Sequence, residues 1–567
     1  MLKKSINRFL KRLKFKNLIK IKKINKFINQ FGDFNKGLFL VLISWGSYFI
    51  YLWPKMFFWE KEGIFAGWIG IWGDWAAHNA YASRFAYQDP ADWIETHPLY
   101  IGTKFTYPFL SNLISGLIIW LGIDRVSAFI YPTILFTILF LCLLYKFYFV
   151  QLKSFKKAVL GVFVFLTSGG LGFLWFIKDL KIDFWNNLLF PPDQYTQLKE
   201  GTIYWLNTVT GQLVPQRSLL IGMMIGLFVI IMLYKYVKHK DTTKKYLKVI
   251  GLGFLTSLLV LAHMHTFIVV FVLSAVISLF NIKNWKLLLV YGLATAIPAL
   301  CFYTLLYGGA IQTSFFSWHP GWLANEKSKN MNFIYFWIIN WGFFLILSIW
   351  GFFQKKGYKN EFVVAGLVLF VVTNLFLFQP FDWDNSKIFT WVYLFWTIPV
   401  VEIIAFCWNR KRIFMKFLAV VLIILVCFSG FVDIYRLTRV DKLKILMFPN
   451  DDIKIAAEFR QISDPDSIVL TSDKHNHFIP TLTGRQILLG YRGWMWTYGI
   501  KDAEVYNDMK SMFSGDVRAN NLINYYGIDY VVIGYDERVN YNANEQYFKS
   551  RYQMVLSNNS YSVYKID

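Results

Sequence analysis

The stretch Trp72-Gly73-Asp74-Trp75-Ala76-Ala77-His78 decides how the rest of the chain is read. It sets a carboxylate between two indoles, with an imidazole one helical turn further on. The first apolar run ends shortly before it, and most of the chain on either side reads as lipid-facing helix. An acid held just outside such a helix is costly and calls for a function. Asp is also a favoured N-cap, so Asp74 could start a helix at Trp75, a role compatible with chemistry.

The 567 residues are 56% hydrophobic and 20% aromatic, with a mean hydropathy of +0.39. A soluble domain cannot hide that much apolar surface, so the class is an α-helical polytopic membrane protein. The net charge of +24 does not point to nucleic acid. Most Lys and Arg fall in short clusters between apolar runs, the pattern of cytoplasmic loops. Cys142, Cys301, Cys407 and Cys427 lie inside apolar runs, leaving no disulfide framework and no thiolate metal site.

Residues 1–36 carry many Lys and Arg against a lone Asp33, with apolar residues at helical spacing. They read as a basic amphipathic helix on an anionic cytoplasmic leaflet, or as a basic tail. Either way the N-terminus is inside. A transmembrane domain follows over 37–434. Its first span, 37–53, leads to a large outer loop, 54–126. The run 105–121 is short, and if it crossed, Lys146, Lys153, Lys156 and Lys157 would lie outside. It therefore reads as an interfacial or re-entrant helix. Further spans are expected at 127–146, 158–177, 218–234, 287–307, 333–353, 362–378, 388–408 and 413–431. The run 249–280 reads as two short helices turning at His263-Met264-His265. That makes about 11 spans, an odd number, which sends the C-terminal region outside. There, 435–567 reads as a small soluble α/β domain with strands at 467–471, 528–534 and 561–565.

Under this topology the isolated acids, the paired histidines and the Trp-rich polar motifs share the outer face. No P-loop, dinucleotide fingerprint or kinase motif is present. Asp74 reads as a general base taking a proton from an acceptor hydroxyl. Asp382-Trp383-Asp384-Asn385-Ser386-Lys387 offers two acids that could hold a divalent cation, Mg or Mn, and a lysine that could pair with a lipid phosphate. The same segment also reads as a solvated turn with local charge pairing. His263 and His265 could converge at a turn as phosphate donors or metal ligands, or be satisfied interfacial histidines. Arg217 could grip a phosphate oxygen or snorkel to the interface. Arg485 and Arg492 lie in an aromatic, glycine-rich segment suited to a sugar or lipid headgroup, or to packing on the helices.

An early acid in a large outer loop, followed by Tyr107-Pro108-Phe109 opening a juxtamembrane helix, resembles the GT-C integral-membrane glycosyltransferases. These include protein O-mannosyltransferases and aminoarabinose transferases of lipid A. The terminal domain, with Asn524-Tyr525-Tyr526-Gly527-Ile528-Asp529-Tyr530-Val531-Val532, is similar to the outer domains of such enzymes and of YfhO-like membrane proteins. The resemblance implies a multi-pass cell-membrane enzyme moving a sugar from a polyprenyl-phosphate donor to a glycan, lipid or protein acceptor. It implies that Asp74 is the catalytic base of an inverting transfer. His78, Arg217, His263, His265, Lys387, Arg485 and Arg492 would bind substrate or donor phosphate. Trp75 stands where many members carry a second acid, and the Trp-Trp-Asp signature of oligosaccharyltransferases is missing. A flippase of lipid-linked saccharide and a non-catalytic glycan-binding envelope protein are the alternatives. A flippase predicts functional charges near mid-membrane on broken helices.

Overall fold

A computed structural model describes residues 32–198, 202–238, 245–308, 316–325 and 331–566. The basic N-terminal segment read over 1–36 lies almost wholly outside the described residues. The first helix, α1 (Asp33–Lys55), is followed by a hairpin of β1 (Phe57–Glu60) and β2 (Gly63–Ala66). Helix α2 (Ile69–Tyr87) then runs against α3 (Leu110–Trp120). At about 1.5 Å per residue, α3 is too short to cross a hydrocarbon core of about 30 Å.

The bundle continues with α4 (Arg125–Leu152), α5 (Phe155–Leu166), α6 (Phe173–Ile182), α7 (Arg217–Lys238), α8 (Lys245–Ala262), α9 (Met264–Phe280) and α10 (Ile282–Tyr307). It closes with α11 (Phe333–Trp341), α12 (Phe343–Phe352), α13 (Glu361–Leu375), α14 (Asp382–Trp408) and α15 (Ile413–Leu437). Among the described residues seven of these helices are long and apolar enough to cross a membrane: α1, α4, α7, α8, α10, α14 and α15. The pair α11 and α12 makes an eighth if a helix bent by 105° counts as one span. Helices α3, α9 and α13 are shorter apolar helices. This measure therefore gives seven or eight spans, not the eleven expected.

Two expected spans are broken. The segment 158–177 divides into α5 and α6 around Thr167–Gly172, and 333–353 bends at Gly342. The two breaks interlock: Leu171 N–H donates to the Ile339 carbonyl at 2.9 Å. Asn340 Oδ1 accepts from Tyr204 N–H at 2.7 Å. Backbone freed from a helix inside a membrane must find partners within the protein, and here each break helps to satisfy the other. The long run 249–280 also breaks where the histidines lie, with α8 ending at Ala262 and α9 starting at Met264.

Beyond the bundle, β3 (Ile445–Pro449) pairs antiparallel with β2. The C-terminal region therefore shares a three-stranded sheet with the first loop. After α16 (Asn450–Ile462) come β4 (Ile468–Leu470), β5 (Gln486–Ile487), α17 (Arg492–Thr497), β6 (Tyr530–Ile533), β7 (Gln553–Ser557) and β8 (Ser562–Lys565). The five strands form one sheet in the order β5-β4-β6-β8-β7. The first loop also bonds to it directly, Ile487 N–H of β5 donating to the Pro98 carbonyl at 3.2 Å.

Candidate active site

Helix α2 begins at Ile69, with Trp68 as its N-cap, so Asp74 lies inside the helix and does not cap it. The next residue, Trp75, is fully buried and donates from Nε1 to the Pro215 carbonyl at 3.1 Å. That bond holds α2 against the turn leading into α7. On the same turn, Gln216 donates from Nε2 to Asp74 Oδ2 at 2.9 Å. The turn is itself anchored. Asn207 Oδ1 accepts from the Val209 and Thr210 amides, and its Nδ2 donates to the Leu166 and Ser168 carbonyls. Gln212 Nε2 donates to Ser386 Oγ at 2.8 Å, tying the turn to the start of α14 beside Lys387.

These elements enclose a cavity of about 270 Å³. Asp74 and His78 enter it from α2, Tyr107 from the approach to α3, Gln216 from the turn before α7 and Ser218 from α7. His263 and His265 come from the α8–α9 turn, Tyr303 and Tyr307 from α10, and Asp384 and Lys387 from α14. Trp494, Thr497 and Tyr498 of the C-terminal region complete the wall. Tyr498 is held there by a 2.7 Å hydroxyl contact with Tyr81 of α2.

Asp74 is half-buried. Burial pushes its carboxyl up to about 7; the Lys387 charge opposes this, Asp384 adds to it, and the Gln216 bond opposes it. The His78 ring meets Asn112 Oδ1 at 2.9 Å through Nδ1. With the amide oxygen accepting, Nδ1 carries the proton and Nε2 keeps a lone pair. Burial, then the charge of Arg217, drives His78 down to about 3, so it is neutral at physiological pH. His263 Nδ1 accepts from the Thr266 amide at 3.2 Å and caps α9, which puts its proton on Nε2. The Nε2 atoms of His263 and His265 are both buried with no hydrogen-bond partner among the described residues, and the ring centroids are 5.5 Å apart. Lys387 Nζ lies 2.9 Å from Asp384 Oδ1.

Asp74, His78, His263, His265 and Lys387 thus meet in one cavity, as does Asp384. Four other candidate residues do not line it. Arg217 is buried between helices, donating to Ser115 Oγ at 2.7 Å with its guanidinium 4.2 Å from the Phe129 ring centroid. The roughly 100° step per helical residue turns it away while its neighbours face inward. Arg485 donates to the Arg460 and Ser463 carbonyls, stopping the end of α16. Arg492 pairs with Asp502 at 2.5 Å. Asp382 takes the Trp322 indole N–H on its backbone carbonyl at 2.7 Å, and its carboxylate does not line the cavity. Among the described residues no three His, Cys, Asp or Glu side chains are grouped to hold a metal ion. Of the two acids read as a cation site, Asp384 lines the cavity beside Lys387 and Asp382 does not line it.

Sequence reading singled out none of Gln216, Asn112, Tyr303, Tyr307 and Tyr498 as site residues. Each is an ordinary residue in its local stretch, and only long-range contacts bring it to Asp74 or His78.

No protein-family model matches the sequence, and no curated protein matches it. Solved structures do. The Archaeoglobus fulgidus oligosaccharyltransferase tethered with an acceptor peptide containing the NVT sequon superposes with a TM-score of 0.50 at 11% identity, over 94% of this chain and 74% of that one. Archaeal oligosaccharyltransferase AglB from Archaeoglobus fulgidus, in complex with an inhibitory peptide and a dolichol-phosphate, gives 0.50 and 11% over 88% and 69%. ArnT from Cupriavidus metallidurans in the apo state gives 0.47 and 9% over 92% and 96%. At such identities the likeness bears on architecture. The chain has the GT-C fold of membrane glycosyltransferases.

Proposed function

We propose that this chain is a membrane glycosyltransferase that moves a sugar from a polyprenyl-phosphate donor to an acceptor hydroxyl, with inversion at the anomeric carbon. The observation that carries the reading is the half-buried Asp74 sharing one cavity with Lys387 and two histidine Nε2 atoms that have no partner among the described residues. The fold supports it, since a neighbour of the same architecture binds a dolichol-phosphate. So does a second, apolar cavity of about 450 Å³ between α8, α9 and α10. Val260, Phe267, Phe271 and Leu300 line it, and Met264 and Tyr303 line both cavities. A polar headgroup and an isoprenoid tail would be accommodated side by side.

In the reaction the acceptor oxygen attacks the anomeric carbon opposite the phosphate, and Asp74 takes its proton. The bond from that carbon to the phosphate oxygen breaks, and polyprenyl phosphate leaves with the electron pair. Lys387 and the His263 Nε2–H are the groups available to stabilise the leaving phosphate. Gln216 orients the carboxylate.

The cavity would lie at the outer face. Lys387 is at one end of α14 and Arg410 just past the other, roughly 35 Å along the helix. The basic clusters Lys235 and Lys238, Lys283 and Lys286, and Lys355 and Lys356 are at helix ends opposite the cavity. A C-terminal reporter active only outside the cell should therefore be active.

The decisive experiment supplies a polyprenyl-phosphate hexose to purified protein and compares wild type with Asp74→Asn. Loss of turnover with donor binding retained supports the reading. Unchanged turnover removes Asp74 as the base.

A further inference from the structure

At the opposite end of the bundle, a cleft of about 370 Å³ opens between α12, α13 and α14. Its origin is a mismatch of helix lengths. Helices α12 and α14 touch at Gly351, where an added Cβ would come 2.5 Å from that of Pro399. Helix α12 stops one residue later, while α14 continues to Trp408. The face of α14 around Pro399 forms the floor of the cleft, with Ile398 and Ile403 in its wall. Trp350 and Phe406 flank the opening, each about half exposed at 52% and 51%.

The rim is charged. The loop after α12 folds back, Gly357 donating its amide to the Gln354 carbonyl at 2.7 Å, and this turn puts Lys355 and Lys356 at the cleft. Arg410 stands over the Phe406 ring, 4.1 Å from its centroid. The acid in the lining, Glu402, is paired with Lys157 at 2.7 Å. Its charge is taken up there, so Lys355 and Lys356 give the rim a positive balance. Apolar walls below and paired ammonium groups above match a single amphiphile with an anionic head.

We infer that this cleft is a binding site for one anionic phospholipid, its phosphate held by Lys355 and Lys356 and an acyl chain lying on Ile403 and Phe406. The site is separate from the cavity at Asp74. It would couple the stability of the α12–α14 packing to the lipid composition of the leaflet it faces.

Native mass spectrometry of the full chain in detergent tests this, titrating phosphatidylglycerol against phosphatidylcholine of the same acyl chains. The expected result is one phosphatidylglycerol retained per chain, with the Lys355→Gln, Lys356→Gln double variant weakened roughly 30-fold. Ile403→Trp keeps the charges and fills the wall, and it too should lose the lipid. If that variant is unstable, Phe406→Ala provides a second reading of the wall, again with weaker retention. Equal retention of phosphatidylcholine, or unchanged retention in the double variant, would overturn the inference. So would a lipid-free mass of two chains, which would assign the cleft to a second copy.

Discussion

Gln216 Nε2 and Asp74 Oδ2 are 2.9 Å apart although 142 residues separate them in the chain. The bond fixes which carboxylate oxygen remains for a substrate. It also opposes the burial that raises the Asp74 carboxyl to about 7.

A pH dependence follows. Below about 7 Asp74 holds its proton and cannot act as a base; above it the carboxylate is free. The transfer rate should rise about tenfold per pH unit on the acid side and level off above neutrality. His78, lowered to about 3, adds no titration in that range. In Gln216→Leu the ionised form loses a hydrogen bond, so the limb should move to higher pH. A pH–rate profile of the two proteins checks both statements.

Lys387 is the cavity's ammonium group, and Asp384 already holds it at 2.9 Å. Lys387→Gln leaves that acid without its partner and removes the charge proposed to face the donor phosphate. Donor affinity should fall by about 10- to 100-fold, the range for a hydrogen bond to a charged group. Isothermal titration with a polyprenyl-phosphate sugar measures it.

His263 does two jobs that can be separated. Its Nδ1 caps α9, and its Nε2 faces the cavity. Asn is an equally good cap, so His263→Asn should keep thermal stability while weakening donor binding. His263→Ala should lose about 1 kcal/mol of stability as well. Equal stability loss in both variants would show that the cap is not what Asn restores.

Gly342 has φ +55° at the bend between α11 and α12, and an added Cβ would meet Leu171 at 3.0 Å. Gly342→Ala should cost about 1–3 kcal/mol. In contrast, Gly251 lies inside α8 with open space around it, and Gly251→Ala should be neutral or mildly stabilising. Thermal unfolding in detergent separates the two.

Arg485 serves the C-terminal region through the Arg460 and Ser463 carbonyls. Arg485→Met should lower stability by about 1–3 kcal/mol and leave donor affinity unchanged. A binding defect without a stability defect would return it to the donor site.

Particular residues show how far the sequence reaches. The turn at His263-Met264-His265 was legible because two polar residues interrupt a long apolar run, and a break there is inexpensive only at a helix end. The strands around Ile468, Val531 and Val563 were legible from β-branched runs. The bend at Gly342 was not, and at Thr167–Gly172 the glycines of Ser168-Gly169-Gly170-Leu171-Gly172 mark a helix end inside a segment otherwise read as one span. Both segments are apolar enough to read as spans, and hydropathy does not register where a backbone leaves the helix. Arg217 misled for the converse reason: a cation at a helix mouth invites a ligand, but the helical step decides whether it or Ser218 faces the cavity.

Composition and local residue pattern therefore settled the membrane class and the α/β character of the C-terminal region, because burial of apolar surface and strand periodicity are local properties of the chain. They also brought Asp74, His78, His263, His265 and Lys387 forward, each being a polar group in apolar surroundings. The choice among the candidates belonged to tertiary structure. Pairing of β2 with β3, the Trp75 anchor on Pro215 and the Tyr81–Tyr498 contact bring distant segments around one cavity. Such contacts depend on how whole helices dock, and no local pattern of residues encodes that.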